Sequence, residues 1–549
     1  VRKSDTSFPA LPGLWLTILT LAAGFLLLWR LDRPLLWQDE AETANVAVNL
    51  LHSGVPTPWD GDHLVTQQQG RDALRVGDRL LWAWHPWPQH YLAAAGLALA
   101  GEGATPAVRT IAARLPFAFL ALVTVPLVYG WRRRRDGWVG AAVATAIYAL
   151  SIGFVLYARQ CRYYALLYLG GLIALWAYGA LGRKPAPTVA LALGLTLVFY
   201  ANPLSGVALG AGLGIHTLIV ARERLGATLR AGALFTLLAA PWLALIALSE
   251  VRAPARGVAE TLHLLAGQLW RFQYTLLPAI LWPVLAWTWW RARRSERGDT
   301  TASRTGPASE IVLLAVLSST MLVAVSLQAP LGTARYLLPL WPLSAAVLAG
   351  LWRRLHDRSA IAGALYLTIL LATDLLPSLP ATPVAILRPG PAVYDREASQ
   401  LDKLARNGRI GAPLVRFLAR QAAPPQGPIA ALVTYSRGLR RPPRAIIASY
   451  GWESLHYYLN IPVLGPDRQH QARAHLALPQ LDPERIDLII PRRGRPEPDP
   501  GHLEGTFIPI TLPVPDDAYE NLPDPTSTRF RPSELPPLTV WVRRERPLA

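Results

Sequence analysis

Leu36-Trp37-Gln38-Asp39-Glu40-Ala41-Glu42-Thr43-Ala44 places three carboxylates in four positions. It stands directly after Pro12–Trp29, an apolar run of the length, about 20 residues, that crosses a bilayer. The juxtaposition sets polar chemistry at a membrane surface, on the far side from the N-terminus and under a body of apolar helices. Arg2 and Lys3 precede the run and Arg30 follows it. Ala22-Ala23-Gly24 offers a crude cleavage signal, but the apolar run continues past it. The segment therefore reads as a retained first span with its N-terminus in the cytoplasm.

Working outward, the 549 residues are 52% hydrophobic and only 16% charged. Soluble domains average about 25% charged residues, so the chain reads as a multi-pass protein of the cell's inner or plasma membrane. The formal net charge is +18, from 54 Lys and Arg against 36 Asp and Glu. Much of the excess sits in short arginine clusters between apolar runs, as the positive-inside rule produces. A nucleic-acid partner is not expected. One cysteine, Cys161, excludes an internal disulfide and a cysteine-based metal site, and reads as a packing residue. The 20 tryptophans suit bilayer interfaces and stacking on sugar rings.

Residues 31–112 form a long loop, and such loops are usually functional. Within it, Thr43–Leu51 reads as a short helix ended by Ser53-Gly54. Asp60-Gly61-Asp62 imitates the Asp-x-Asp of nucleotide-sugar transferases but reads as a turn. Arg71, Arg75 and Arg79 are spaced to share a helix face suited to anionic headgroups or a phosphate. Gln89–Ala100 is too short for a full span and reads as re-entrant or interfacial.

Spans follow at Leu115–Trp131, Trp138–Tyr157, Tyr163–Leu181, Pro187–Tyr200, Leu204–Ala221, Ala231–Leu248, Phe272–Trp290, Ile311–Leu327, Tyr336–Trp352 and Ile361–Leu379, with a loop over 249–270. The total is about eleven. Counted so, the dense clusters Arg132–Arg135, Arg183-Lys184, Arg222/Arg224, Arg291–Arg297 and Arg353–Arg358 fall on the N-terminal, cytoplasmic side. Asp39, His85, Arg159, Asn202 and Arg335 all fall on the opposite face. The expected fold is thus an α-helical polytopic membrane domain over 1–380. Residues 381–549 form a small extracytoplasmic α/β domain with a proline-rich tail. In it, Ala445–Ala448 and Ile486–Ile490 read as strands, and Leu414–Gln421 and Trp452–Leu459 as helices.

Adjacent acids at a helix start are often no more than favourable dipole partners. Here they share a surface with arginines from distant segments, which suggests a general base beside an anion site. A sugar transfer with inversion needs both functions. A carboxylate takes the acceptor's proton, and cations stabilise the leaving phosphate.

Trp37-x-Asp39-Glu40 after a first span resembles the acidic motif of the C-type glycosyltransferases that use polyprenyl-phosphate sugars, among them protein O-mannosyltransferases and aminoarabinose transferases. His85-Pro86-Trp87-Pro88-Gln89-His90-Tyr91-Leu92 is similar to that superfamily's (Lys/His)-Pro-Pro-Leu-Tyr-Tyr segment. Tyr157-Ala158-Arg159-Gln160-Cys161-Arg162-Tyr163-Tyr164 is similar to its Arg-x-x-Arg-x-Tyr segment, and Arg335-Tyr336-Leu337-Leu338-Pro339 to its Arg-Tyr-Leu-Leu-Pro segment. The resemblance spans residues 12–380 in order.

It implies Asp39 as base and Glu40 as a catalytic partner holding the acceptor or a sugar hydroxyl. It implies Arg159, Arg162, Arg335 and His85 at the donor phosphate, and Tyr163, Tyr336, Asn202 and Trp37 at the substrate. The departures are His85 where the aminoarabinose transferases have lysine, Glu42 where they have arginine, and Tyr200-Ala201-Asn202 in place of Tyr-Thr-His.

The expected activity is inverting transfer of a hexosyl or pentosyl group from a polyprenyl-phosphate carrier to an acceptor hydroxyl on protein, lipid or glycan, outside the cytoplasm. The partners are that lipid-linked donor, membrane lipids and an acceptor the sequence does not name. No cofactor is required, although the acid cluster could hold a divalent cation. The alternatives are an oligosaccharide ligase with a diphosphate-linked donor and a lipid-linked sugar flippase. A flippase calls for polar groups near the bilayer midplane, whereas here they cluster at one surface.

Overall fold

A computed structural model describes residues 10–66, 68–101, 103–182, 184–250, 256–296, 307–329, 333–387, 405, 408–423, 427–465, 468–491, 506–516 and 536–544. Arg183, Arg297 and most of the proline-rich tail lie outside the described residues.

The first apolar run is one unbroken helix, α1 (Ala10–Leu28). The acidic stretch opens α2 (Gln38–Ser53), with Asp39 and Glu40 in the first turn, where the dipole favours carboxylates. Extended Trp37 precedes it, and Gly54 ends it at φ 76°, returning its N–H to the Leu50 carbonyl. The helix predicted from Thr43 therefore begins at Gln38.

Arg71, Arg75 and Arg79 do not share a helix face. Ala73–Val76 (β1) and Arg79–Trp82 (β2) make an antiparallel hairpin with Ala73 opposite Trp82. Its two-residue turn places Gly77 at φ 58°, and Gly-Asp at that position is hairpin chemistry that overrides the four-residue spacing. α3 (Pro88–Ala100) packs on α2 and on α4 (Pro106–Ala149). Its 13 residues reach about 20 Å, short of the ~30 Å bilayer core.

α4 joins two predicted spans and is broken at Gly137, φ 71°, beside the four arginines. There Arg132 donates to Glu310 Oε1 at 2.6 Å, tying the break to a later helix. α5 (Ile152–Ala158), α6 (Tyr164–Gly179), α7 (Pro185–Ala201), α8 (Pro203–Ile219) and α9 (Leu225–Leu248) follow.

The span predicted over Phe272–Trp290 is two helices, α10 (Val258–Thr275) and α11 (Trp282–Glu296). Pro278, which has no N–H to continue a helix, lies in the break. Much of the loop expected over 249–270 is the start of α10. After α12 (Pro307–Gln328) and the 3-10 turn Ala334–Leu340 comes α13 (Trp341–Arg358). The last predicted span, Ile361–Leu379, is instead α14 (Ala360–Ala372) followed, after a 71° bend, by α15 (Leu375–Ser378) and α16 (Thr382–Leu387).

Among the described residues five helices are long and apolar enough to cross a membrane, six if the bent pair is one span, with α6–α8 as shorter apolar helices. The protein is an integral membrane protein. The count of about eleven read from the sequence takes in the shorter segments as well.

Beyond residue 412 lie α17 (Pro413–Ala422), α18 (Pro428–Gly438), α19 (Trp452–Leu459) and α20 (Arg468–His475). Ala445–Ala448 (β3), Val463–Leu464 (β4), Ile486–Ile490 (β5), Phe507–Pro515 (β6) and Pro537–Arg543 (β7) form one sheet in the order β4-β3-β5-β7-β6. β3 runs parallel to β4 and β5, while β7 is antiparallel to β5 and β6. The predicted strands and helices of this region are at their predicted residues. α19 docks on the start of α2: Leu36 N donates to Tyr458 Oη at 2.9 Å and Gly451 N to Gln38 Oε1 at 3.2 Å.

Candidate active site

Three segments far apart in sequence meet at the first turn of α2. They are the hairpin exit around His85, the irregular link Arg159–Tyr163 between α5 and α6, and the 3-10 turn that carries Arg335. That turn presses against α6 at Gly171, where an added Cβ would lie 2.5 Å from the Pro339 carbonyl oxygen. Glycine is therefore needed for the turn to sit this close.

The three carboxylates go to three different arginines. Arg335 Nη1 donates to Asp39 Oδ2 at 2.5 Å, and Arg162 Nη2 is 3.9 Å from the same oxygen. Glu42 Oε1 accepts from Arg162 Nη1 at 2.7 Å. Glu40 accepts from Arg114 in a two-pronged pair, Nε to Oε1 at 2.8 Å and Nη2 to Oε2 at 2.6 Å. Asp39 is 21% exposed, whereas Glu40 and Glu42 are at 0% and 1%, so Asp39 is the acid that reaches the surface.

Glu40, expected to hold the acceptor or a sugar hydroxyl, is buried among protein partners. Its remaining capacity goes to the backbone N–H groups of Cys161, at 2.8 Å, and Trp37, at 3.4 Å. It pins α2, α4 and the arginine link together. Arg159, expected at the donor phosphate, turns toward α1: its Nη1 donates to the Leu26 carbonyl at 2.8 Å and its Nη2 to the Arg30 carbonyl at 2.9 Å. It satisfies carbonyls at the end of α1 and leans on the Phe417 ring at 5.1 Å.

His85 sits beside Arg162 as a neutral ring. Burial and then the Arg162 charge hold its imidazole well below the ordinary range. Arg162 Nη2 approaches its Nε2 at 2.8 Å; a guanidinium only donates, so Nε2 is the acceptor and the ring is neutral. Glu42 is pushed up to about 7 by burial, against the pull of Arg162 and with the help of Asp39.

Tyr163 and Tyr336 line the arginines as buried rings. Arg162 stands 5.5 Å from the Tyr163 centroid and Arg335 5.3 Å from that of Tyr336. Trp37, half-buried, donates its indole N–H to Gln160 Oε1 at 2.5 Å. Asn202, expected at the substrate, caps α8: its Oδ1 accepts from Ser205 N at 3.0 Å, and Ser205 Oγ donates to the Tyr336 carbonyl at 2.9 Å. It supports the arginine turn at one remove. Asp60-Gly61-Asp62 is a turn, Asp60 Oδ1 accepting from the N–H of Asp62 and His63 at 2.8 and 2.6 Å.

Among the described residues, Arg162 Nε, Arg335 Nε and Tyr164 Oη are buried and find no hydrogen-bond partner. Among the described residues no group of three or more His, Cys, Asp or Glu side chains is placed to hold a metal ion.

Neither a family model nor a curated protein matches the chain. Solved structures do. ArnT from Cupriavidus metallidurans bound to undecaprenyl phosphate is similar with a TM-score of 0.59 at 14% identity, over 98% of each chain. The chain has the C-type glycosyltransferase fold. ArnT in the apo state gives 0.53 at 15% identity, over 97% of this chain and 98% of that one. An oligosaccharyltransferase from Archaeoglobus fulgidus in complex with Zn and sulfate gives 0.44 at 11%, over 87% and 67%.

Within this C-type glycosyltransferase fold, sequence reasoning missed Arg114, Gln160 and Tyr164. Arg114 had a signal: it abuts an apolar run at Leu115, where an arginine without a buried partner is costly. Tyr164 stood in a quoted motif and drew no role. Gln160 had none, because its part depends on the fold of the α5–α6 link.

Proposed function

We propose that this chain transfers a sugar, with inversion, from a polyprenyl-phosphate carrier to an acceptor hydroxyl. The observation that carries it is Asp39: a carboxylate at the surface edge of the site, set between two arginines whose Nε groups are buried and unbonded. Unmade buried donors cost about 1–3 kcal/mol each, and an anionic group seated there removes that cost. The fold supports the reading, since ArnT, with the same fold, is described bound to undecaprenyl phosphate.

In the step, the acceptor oxygen attacks the anomeric carbon and forms the new glycosidic C–O bond. The C–O bond to the carrier phosphate breaks, and the phosphate leaves with the bonding pair. The acceptor's proton passes to Asp39 Oδ. Arg335 and Arg162 stabilise the departing phosphate, Tyr163 and Tyr336 shape the edge, and Trp37 offers a ring face to the sugar. His85 holds Arg162 in orientation as a neutral acceptor, and Glu40 fixes α2.

In the same reading residues 1–380 are the transferase unit, with 31–112 as its outer loop, and 381–549 are the outer α/β domain. The N-terminus and the dense arginine clusters face the cytoplasm. Whether a hexosyl or a pentosyl group moves is set by contacts that only a bound donor defines.

The test is release of sugar from radiolabelled polyprenyl-phosphate sugars by protein in lipid, comparing wild type with Asp39→Asn. Turnover abolished in a folded variant that still binds donor supports the reading. Wild-type turnover in Asp39→Asn removes Asp39 as base.

A further inference from the structure

Residues 31–37, which lead into the acidic helix, form neither helix nor strand, so their backbone groups need partners from elsewhere. Two elements supply them. From α4, Arg114 Nη1 donates to the Leu31 and Pro34 carbonyls at 3.0 and 2.7 Å. From α19, Tyr458 Oη accepts the Leu36 N–H at 2.9 Å. The same phenol oxygen lies 2.6 Å from Thr110 Oγ1 of α4. Thr110 gives its own proton to the Pro106 carbonyl at 2.7 Å, so Tyr458 donates to Thr110 while it accepts from Leu36. One hydroxyl, on a side chain 1% exposed, thus joins the acidic stretch to α4 and to the C-terminal unit. Two further ties run alongside: Gly451 N donates to Gln38 Oε1 at 3.2 Å, and Asn45 Nδ2 to the Glu453 carbonyl at 3.0 Å.

We propose that Tyr458 is a positioning residue for the transfer: its hydroxyl fixes the backbone three residues before Asp39 and so sets where the base meets Arg335.

Asp39 stands in the first turn of α2, so its place follows from where that turn begins. Without the phenol oxygen the Leu36 N–H is buried and unmet, and the segment shifts to reach another acceptor or water. A displacement of about 1 Å at a reacting group costs on the order of 10² in rate. Phenylalanine at 458 keeps the packed ring and removes only the hydroxyl. Tyr457, its neighbour on α19, is the matched control. It is also 1% exposed, and its Oη donates to the Arg109 carbonyl of α4 at 3.2 Å, with the Arg109 guanidinium 4.1 Å from its ring. Its hydroxyl bonds α4 and not the acidic stretch.

The experiment follows sugar release from radiolabelled polyprenyl-phosphate sugars and hydrogen exchange of amides 36–41, both on full-length protein in lipid. In Tyr458→Phe, kcat is expected to fall about tenfold or more, with KM for the donor within about threefold. Exchange at the start of α2 should quicken. In Tyr457→Phe, kcat and that exchange should stay within about threefold of wild type, although thermal unfolding shifts down in both variants. Equal losses of kcat in the two make the effect one of stability and overturn the proposal. Wild-type kcat in Tyr458→Phe overturns it as well. Should that variant not fold, Gln38→Ala, which cuts the tie to Gly451, replaces it. Wild-type kcat and exchange there overturn the proposal.

The inference rests on the proposed function for the reaction that Asp39 serves. Exchange that quickens only in Tyr458→Phe, in protein that turns over no donor, keeps the fixed start of α2 and removes the transferase reading. Donor turnover that is unchanged in Tyr458→Phe removes the role of Tyr458 and leaves the transferase reading.

Discussion

Arg335 Nη1 lies 2.5 Å from Asp39 Oδ2 across 296 residues of sequence. One guanidinium edge holds the proposed base, while its Nε is buried and free of bonds. The planar fork lets a single side chain face the base and an anion at once. Lysine, a point charge on a flexible stem, does not do this. Arg335→Lys is expected to lower kcat/KM for donor turnover by roughly 10², as measured by sugar release; an effect under about threefold removes Arg335 from the phosphate.

Arg159 bonds carbonyls at the end of α1, whereas Arg162 and Arg335 meet the acids of α2. Arg159→Met takes its two bonds from the α1 carbonyls and leaves Arg162 and Arg335 in place. Thermal unfolding should shift down, while donor affinity in the folded protein stays within about twofold. A selective loss of donor binding would return Arg159 to the phosphate.

Glu40→Ala leaves the Arg114 charge buried and unpaired. Breaking such a pair costs about 3–5 kcal/mol. The variant should unfold at markedly lower temperature in detergent, and Glu40→Ala/Arg114→Met should recover part of the loss. A Glu40→Ala protein with wild-type stability and lost acceptor affinity would restore Glu40 to substrate binding.

His85→Gln retains a neutral acceptor for Arg162 Nη2 and should keep turnover within about threefold, whereas His85→Ala should lose more. If the ring acted as a cation at the phosphate, the Gln and Ala variants would be equally impaired.

Glu42 and Glu453 are both raised in the folded protein, from an ordinary 4.5 to about 7 and about 8. The folded state binds their protons more tightly than the unfolded state does. Their contribution to stability is therefore complete below about pH 4.5 and is lost as pH rises through 7 and then 8. Unfolding midpoints measured between about pH 5 and about pH 9 should fall with pH, and Glu453→Gln should remove the upper part of the decline. Midpoints that rise over this range contradict both directions.

The sequence made much of this legible. Apolar runs gave most of the helices, and Asp39, His85, Arg159, Asn202 and Arg335 fell on one face when the spans were counted. Local chemistry that competes with spacing was harder to read. Gly77-Asp78 turned an apparent helix of arginines into a hairpin, and Pro278 divided an apparent span. The roles of Glu40, Arg159 and Asn202 were not readable, because a charged or amide side chain in a motif looks the same whether it meets substrate or a carbonyl. Arg159 and Arg162 are three residues apart, yet one closes α1 and the other faces Asp39. That division is decided by the conformation of the link between α5 and α6, which packing sets.

The contact between α19 and α2 also bears on the order of events at the ribosome. The acidic helix is made early, but Asn45 meets Glu453 only 408 residues later, and Asp39 meets Arg335 after 296. At about 5–20 residues per second, the helix waits roughly 15–60 s for Arg335 and longer for Glu453. During that interval Glu40 and Glu42 gain Arg114 and Arg162, but Asp39 lacks Arg335. A growing chain therefore carries an unfinished site until Arg335 has been synthesised, and a product truncated before it that inserts normally still lacks the clamp on its base.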